Sequence, residues 1–378
     1  MNPLRQLEEL GQSVWLDNLS RELLASGKLA RLIADDGLSG ITSNPSIFEK
    51  AIGHSTDYDE QIMRLSRTGA TPPAILRALM ISDIQDAANA LRGPYGASHG
   101  ADGFVSIEVS PQLAMDTDET IAEARALWRA IARDNVMIKV PATEPGLPAI
   151  ATLISEGINV NITLLFSRQV YERVAEAYLE GLEMRQGDLS KIASVASFFV
   201  SRIDTMADGE IEAKLKSASG AEKPTLENLR GKVAIANARL AYQQYKTIFS
   251  GARWEKLAAR GARPQRLLWA STSTKNKAYP ELLYVENLLG RDTINTLPPE
   301  TLDAFRDHGK PRLALEEDLD EARHTLDALE GAGISLEKIT QALVADGVKK
   351  FTEAADKLLA AIAHKRTEFL SHATSEQD

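Results

Sequence analysis

NVMIKVPAT, residues 135 to 143, is the stretch on which the reading of this chain turns. Val136, Ile138 and Val140 share one face of a period-2 pattern, and Met137, Lys139 and Pro141 share the other, which predicts a strand. Pro141 has no N–H for a ladder, so the strand is expected to end about there. A charge inside an apolar strand is costly unless it is paired or neutralised. Taken alone, the segment reads as an edge strand carrying a solvated lysine. Its neighbours argue otherwise.

Working outward, the nearest upstream strand is GFVSIEVS (103–110), with Val105, Ile107 and Val109 on one face and Ser106, Glu108 and Ser110 on the other. Before it come SVWLDN (13–18) and GITSN (40–44), the latter closed by the turn Asn44-Pro45. Downstream lie NVNITLLF (159–166), SVASFFVSR (194–202), PQRLLWASTSTKN (264–276) and the shorter TINTLPP (293–299). Helical patterns separate them. Residues 19–37 have helical spacing and stop at Gly37, a C-cap signal. Asp116 to Asn135 places Ile121, Ala124, Leu127 and Ile131 on one side, with acids in its first turn. A helix is expected around 145–156, and Ser167 is placed to cap the next one.

Eight rounds of strand and helix predict an α/β fold, a (β/α)8 TIM barrel. No G-x-G-x-x-G succeeds the first strand, which removes the main argument for a dinucleotide-binding sheet. A barrel needs about 250 residues. The surplus of this 378-residue chain falls in helical insertions around 50–98 and 204–261 and in C-terminal helices around 315–365. Gly220 to Pro224 reads as a loop tip within the second insertion. With no Pro/Ser-rich linker and no repeat, residues 1–378 are expected to form a single domain.

The chain is 44% hydrophobic and 25% charged, with a formal net charge of -10. That balance speaks for a soluble protein and against a nucleic-acid footprint, which needs a basic stripe. The absence of cysteine excludes disulfides, thiol nucleophiles and thiolate metal sites. No apolar run approaches the ~20 residues of a membrane span, and the acidic N-terminal stretch lacks a signal-peptide core. A cytoplasmic protein is expected. The six histidines show no ligand spacing, Asp116 and Asp118 fit a helix start, and no metal is expected.

Polar residues on the alternate face of the predicted strands form a set: Asp17, Asn44, Glu108, Lys139, Asn161, Thr163, Ser197 and Ser271. All fall toward the C-terminal strand ends, where (β/α)8 enzymes carry their chemistry. Barrel interiors are ordinarily filled by branched apolar side chains, so this many polar groups must satisfy each other or a ligand. A lysine in that shell can act as a nucleophile. Its neutral amine adds to a ketone, giving a carbinolamine and then an imine, and the protonated imine is an electron sink for C–C cleavage. Glu108 and Asp17 are the carboxylates placed for the proton transfers. Burial favours the neutral amine and the carboxylates favour the ammonium, so the two influences oppose each other.

GITSNPSIF, VSIEVSP, NVMIKVPAT, INVNITLLFS, SFFVSR and WASTSTKN, in that order, with DGVKKF in the tail, resemble the transaldolase family, in its longer subgroup. The resemblance spans about residues 13–300. It implies a metal-free and cofactor-free Schiff-base mechanism passing a dihydroxyacetone unit from a ketose phosphate, such as fructose 6-phosphate or sedoheptulose 7-phosphate, to an aldose phosphate. By the same resemblance Lys139 forms the imine and Asp17 handles the C4-hydroxyl proton. Glu108 and Thr163, with a water between them, serve imine formation and hydrolysis. Asn44, Asn161 and Ser197 meet donor hydroxyls, Phe199 matches an active-site phenylalanine, and Arg202 and Ser271 match phosphate contacts. One departure stands out: many relatives carry arginine where this chain has Ser273, leaving Lys275 or Lys277 as sources of the missing charge.

Two other functions fit the same scaffold. Related cofactor-free aldolases place glutamine at the Glu108 position and tyrosine at the Phe199 position, so both positions side with the transferase. A non-catalytic phosphosugar-binding barrel is the third reading, and the joint presence of Lys139, Glu108 and Asp17 speaks against it. Oligomeric state, monomer or homodimer, is left open by the sequence.

Overall fold

The computed structural model describes residues 2–220 and 222–375. Eight parallel strands close on themselves in sequential order: β1 (Gln12–Leu16), β2 (Leu38–Ile41), β3 (Phe104–Glu108), β4 (Val136–Pro141), β5 (Val160–Leu165), β6 (Ser194–Phe199), β7 (Arg266–Ala270) and β8 (Thr293–Leu297). The seam is made by β1 against β8, with Gln12 opposite Thr293 and Leu16 opposite Leu297. β3 through β6 are buried along their whole length, as strands are when helices cover one face and a filled interior the other. This is a TIM barrel with additional helices, as the alternation predicts. Among the described residues no helix is long and apolar enough to cross a membrane.

Element boundaries depart from the sequence reading for identifiable reasons. β2 ends at Ile41 rather than at Asn44, because Asn44 has become the N-cap of the Pro45–Gly53 helix. Its side-chain oxygen accepts from the Ile47 N–H at 3.0 Å, and Pro45 fills the first helical position, where no N–H is needed. The 19–37 stretch breaks into two helices, Arg21–Ala25 and Lys28–Asp36, because Gly27 turns left-handed between them. Pro224 lies inside the Glu222–Leu229 helix rather than at a loop tip. Gly37 and Ser167 cap as expected.

The C-terminal helix, Leu336–Ser375, bears on the barrel mouth. β5 loses its register between Ile162 and Leu165, and Leu164 there adopts a positive φ of 56°. Non-glycine residues pay for that conformation, and the bulge re-aims the chain beyond Thr163. Leu164 meets the C-terminal helix at Gly347, where a Cβ would come within 2.6 Å of Leu164 Cδ2. The glycine of DGVKKF is thus the point of close approach between helix and barrel. One turn on, Phe351 is buried and lines the cavity at the mouth.

Candidate active site

β4 carries Lys139 at its fourth position, level with Glu108 on β3 and Asn161 on β5. Lys139 is 3% exposed and Glu108 5%. The ammonium nitrogen lies 3.6 Å from Glu108 Oε2 and donates to the carbonyl oxygen of Ser43 at 3.2 Å. Neither Glu108 oxygen, nor Thr163 Oγ1, has a hydrogen-bond partner among the described residues, although all three are buried. Unmet acceptors of this kind are costly in a fold that does not use them. Burial pushes the Glu108 carboxyl up to about 7, against the opposing pull of Lys139. Asp17, just past β1, is pushed up by burial too, while Lys139, the Thr42 hydroxyl and Arg202 act the other way.

Asp17 and Lys139 open onto a cavity of about 610 Å³ on the C-terminal side of the barrel. Asp17, Asn44, Lys139, Ser197, Phe199, Arg202 and Ser271 all line it. Glu108, Asn161 and Thr163 are buried and do not line it. Asn161 is fully buried, donates to Ser106 Oγ at 2.9 Å and accepts from the Ser197 hydroxyl at 2.6 Å, so it orients Ser197. Glu108 faces a second, mainly apolar cavity of about 240 Å³ beneath the C-terminal helix, and Asn44 lines both cavities.

Sequence reasoning passed over Thr42, Ser106 and Thr296. The Thr42 hydroxyl donates to Asp17 Oδ1 at 2.6 Å and shares a 2.7 Å hydrogen bond with Thr296, which lines the cavity. Ser106 lies two residues before Glu108, and Thr42 two residues before Asn44, so the strand alternation already contained a signal for both.

At the far side of the cavity the helix Ser201–Leu215 starts directly after β6 and presents Arg202 in its first turn. The guanidinium carbon stands 5.2 Å from the Phe199 ring centroid, and that ring packs against Phe166 at the same centroid distance. Arg202 Nη1 is buried without a hydrogen-bond partner among the described residues. Burial pulls its pKa down, opposed by the charges of Asp346 and Asp17. Beside it Ser271 adopts a positive φ of 54°, and its hydroxyl is 3.0 Å from that of Ser201. Ser273 and Lys275 complete this side, with the Lys275 ammonium donating to Ser273 Oγ at 2.6 Å. Lys277 does not line the cavity. The arrangement brings a buried amine and two carboxylates together with an arginine, a second lysine and several hydroxyls.

The family model described as transaldolase/fructose-6-phosphate aldolase matches residues 14–362. The transaldolase of Trichodesmium erythraeum is 46% identical over 370 residues, covering 96% of this chain and 97% of its own. Those of Thermobifida fusca and Thiobacillus denitrificans are both 48% identical, over 96% of this chain and 98% and 100% of their own lengths.

Proposed function

Because the chain belongs to the transaldolase/fructose-6-phosphate aldolase family, we propose that it is a transaldolase working through a Schiff base on Lys139. It moves a dihydroxyacetone unit from sedoheptulose 7-phosphate or fructose 6-phosphate to glyceraldehyde 3-phosphate or erythrose 4-phosphate, in the non-oxidative pentose phosphate pathway. The observation that carries the reading is the buried Lys139–Glu108 pair, 3.6 Å apart, with Lys139 opening onto a cavity that Arg202 and Lys275 also line. A phosphosugar that places its phosphate among the cations brings its carbonyl to the amine.

In this reading the Lys139 amine adds to C2 of the ketose. Glu108, relayed through a water to Thr163, supplies the proton with which the carbinolamine loses water to give the protonated imine. Asp17 takes the C4-hydroxyl proton, the C3–C4 bond breaks, and its electrons enter the imine as an enamine. The aldose phosphate leaves. An acceptor aldehyde then receives the enamine carbon, Asp17 returns the proton, and water releases the product ketose from Lys139. Asn44 and Ser197, the latter oriented by Asn161, hold the donor hydroxyls, and Phe199 backs the guanidinium of Arg202. Arg202 and Ser271 bind phosphate, and Lys275 supplies the charge that Ser273 lacks. The chain works as one structural unit, in the cytoplasm, without metal or cofactor.

Borohydride trapping with fructose 6-phosphate, with and without erythrose 4-phosphate, followed by peptide mapping, tests this. The expected result is a reduced dihydroxyacetone adduct on Lys139, with sedoheptulose 7-phosphate appearing only when acceptor is present. Free dihydroxyacetone accumulating beside the adduct would make the protein an aldolase. An unmodified Lys139 would end the Schiff-base reading.

A further inference from the structure

Residues 271–282 join β7 to the short helix Leu283–Asn287 without regular structure, and they carry Ser271, Ser273 and Lys275. Lysine places a point charge at the end of a flexible stem, unlike the planar arginine fork. Its charge is therefore positioned only as well as its backbone is held. The helix Ser201–Leu215, which presents Arg202, holds this loop at both ends. At the near end the Ser201 N–H donates to the Ser271 carbonyl at 3.0 Å. At the far end, two carboxylates one turn apart on that helix each receive a tyrosine hydroxyl. Tyr279 donates to Asp208 Oδ2 at 2.7 Å, and Tyr284 donates to Asp204 Oδ2 at 2.9 Å.

Both aspartates are buried, and their second oxygens are fixed by backbone. The Gly231 N–H donates to Asp208 Oδ1 at 3.0 Å, and the Ala234 N–H donates to Asp204 Oδ1 at 2.7 Å. The Tyr279 ring lies against Gly231, where a Cβ would come within 2.8 Å of Tyr279 Cζ and where φ is +69°. Inside the loop, the Thr274 hydroxyl lies 3.0 and 2.9 Å from the carbonyl oxygens of Pro280 and Glu281 and shares its one proton between them, closing the segment on itself.

We propose that Asp208 and Tyr279, seconded by Asp204 and Tyr284, are positioning residues for phosphate recognition. They clamp the β7 loop to the helix bearing Arg202, so that Lys275 and Arg202 face one phosphate with a fixed separation. The clamp rests on the reading of Lys275 as a phosphate contact. It touches neither Lys139 nor the carboxylates beside it, so its effect falls on the phosphorylated end of the substrate alone.

The test compares Tyr279→Phe, Lys275→Met and the double variant, using KM for fructose 6-phosphate and the rate of borohydride trapping of unphosphorylated dihydroxyacetone on Lys139. Loss of one charge-assisted hydrogen bond corresponds to about a tenfold rise in KM. The expected result is that rise in Tyr279→Phe, with kcat and dihydroxyacetone trapping unchanged, and a double variant no worse than Lys275→Met. Thr274→Val, which removes the bonds closing the loop and keeps both partners of the Tyr279–Asp208 hydrogen bond, is expected to show the same pattern and stands in should Tyr279→Phe fail to fold. An unchanged KM in Lys275→Met would overturn the phosphate reading of that lysine and the clamp with it. A raised KM in Lys275→Met beside an unchanged one in Tyr279→Phe and Thr274→Val would overturn the clamp alone. Additive effects in the double variant would do the same, since residues acting through one another do not add.

Discussion

Glu108 is the residue whose environment says most about the chemistry. Its carboxyl is pushed up to about 7 because burial outweighs the attraction of Lys139. Below about 7, Glu108 is protonated and cannot take up the proton released as the Lys139 nitrogen adds to the carbonyl. Above it, Glu108 is a carboxylate that can take that proton and return it to the departing hydroxyl. The rate of imine formation with dihydroxyacetone is therefore expected to rise with pH through an inflection at about 7. Glu108→Gln cannot shuttle a proton, and its imine formation is expected to slow by about 10²-fold or more. The check is stopped-flow or quenched borohydride trapping across pH 5.5 to 8.5. A variant that keeps both the wild-type rate and the inflection would show that Glu108 is not the shuttle.

The C-terminal helix is an element whose role comes from what it covers. Phe351 is 4% exposed and forms part of the cavity lining, and Gly347 lets the helix approach Leu164. A transferase must keep water from the enamine and imine until the acceptor arrives, and an apolar lid serves that end. Phe351→Ala is expected to cost about 3 kcal/mol of stability, as buried Phe-to-Ala changes do. It is also expected to raise the fraction of dihydroxyacetone released free rather than transferred. Thermal melts and product ratios with fructose 6-phosphate and erythrose 4-phosphate check the two effects separately. An unchanged product ratio would leave the helix a structural role only. Much of this architecture was legible in advance: alternation located eight strands and put Lys139, Glu108 and Asn161 on their inward faces, and the structure sets the three level with one another. What alternation could not show was the path of irregular segments. Choosing Lys275 over Lys277 depended on how the β7 loop folds back on the Ser201–Leu215 helix. Likewise Asn44 read as a strand residue, because a cap and an inward-facing amide look alike until the helix start is located.

At the scale of the whole molecule, an acidic protein has to gather an anionic substrate. The chain carries a net charge of -10. Its cavity nonetheless concentrates Lys50, Lys139, Arg202 and Lys275 against Asp17, Glu22 and Glu300. The two fields have different ranges. A compact chain of this length has a radius of gyration of roughly 21 Å. Ten net charges acting from roughly 25 Å in water oppose a phosphate dianion by about 3 kcal/mol without salt. A cavity cation about 4 Å from the phosphate acts with about 4 kcal/mol per unit charge at an effective dielectric near 20. The Debye length is about 30 Å at 0.01 M salt, about 10 Å at 0.1 M and about 3 Å at 1 M. Moderate salt therefore removes the distant repulsion first, and only concentrated salt weakens the close attraction. In a chloride buffer free of competing phosphate or sulfate, kcat/KM for fructose 6-phosphate is expected to rise between about 0.01 and 0.1 M ionic strength and to fall toward about 1 M. Lys275→Met is expected to keep the rise and lose much of the fall, because it removes a short-range cation and leaves the global charge nearly as it was. A decline from the lowest salt onward would mean that the cavity's cations govern substrate approach at every range, and that the surface charge carries no weight in it.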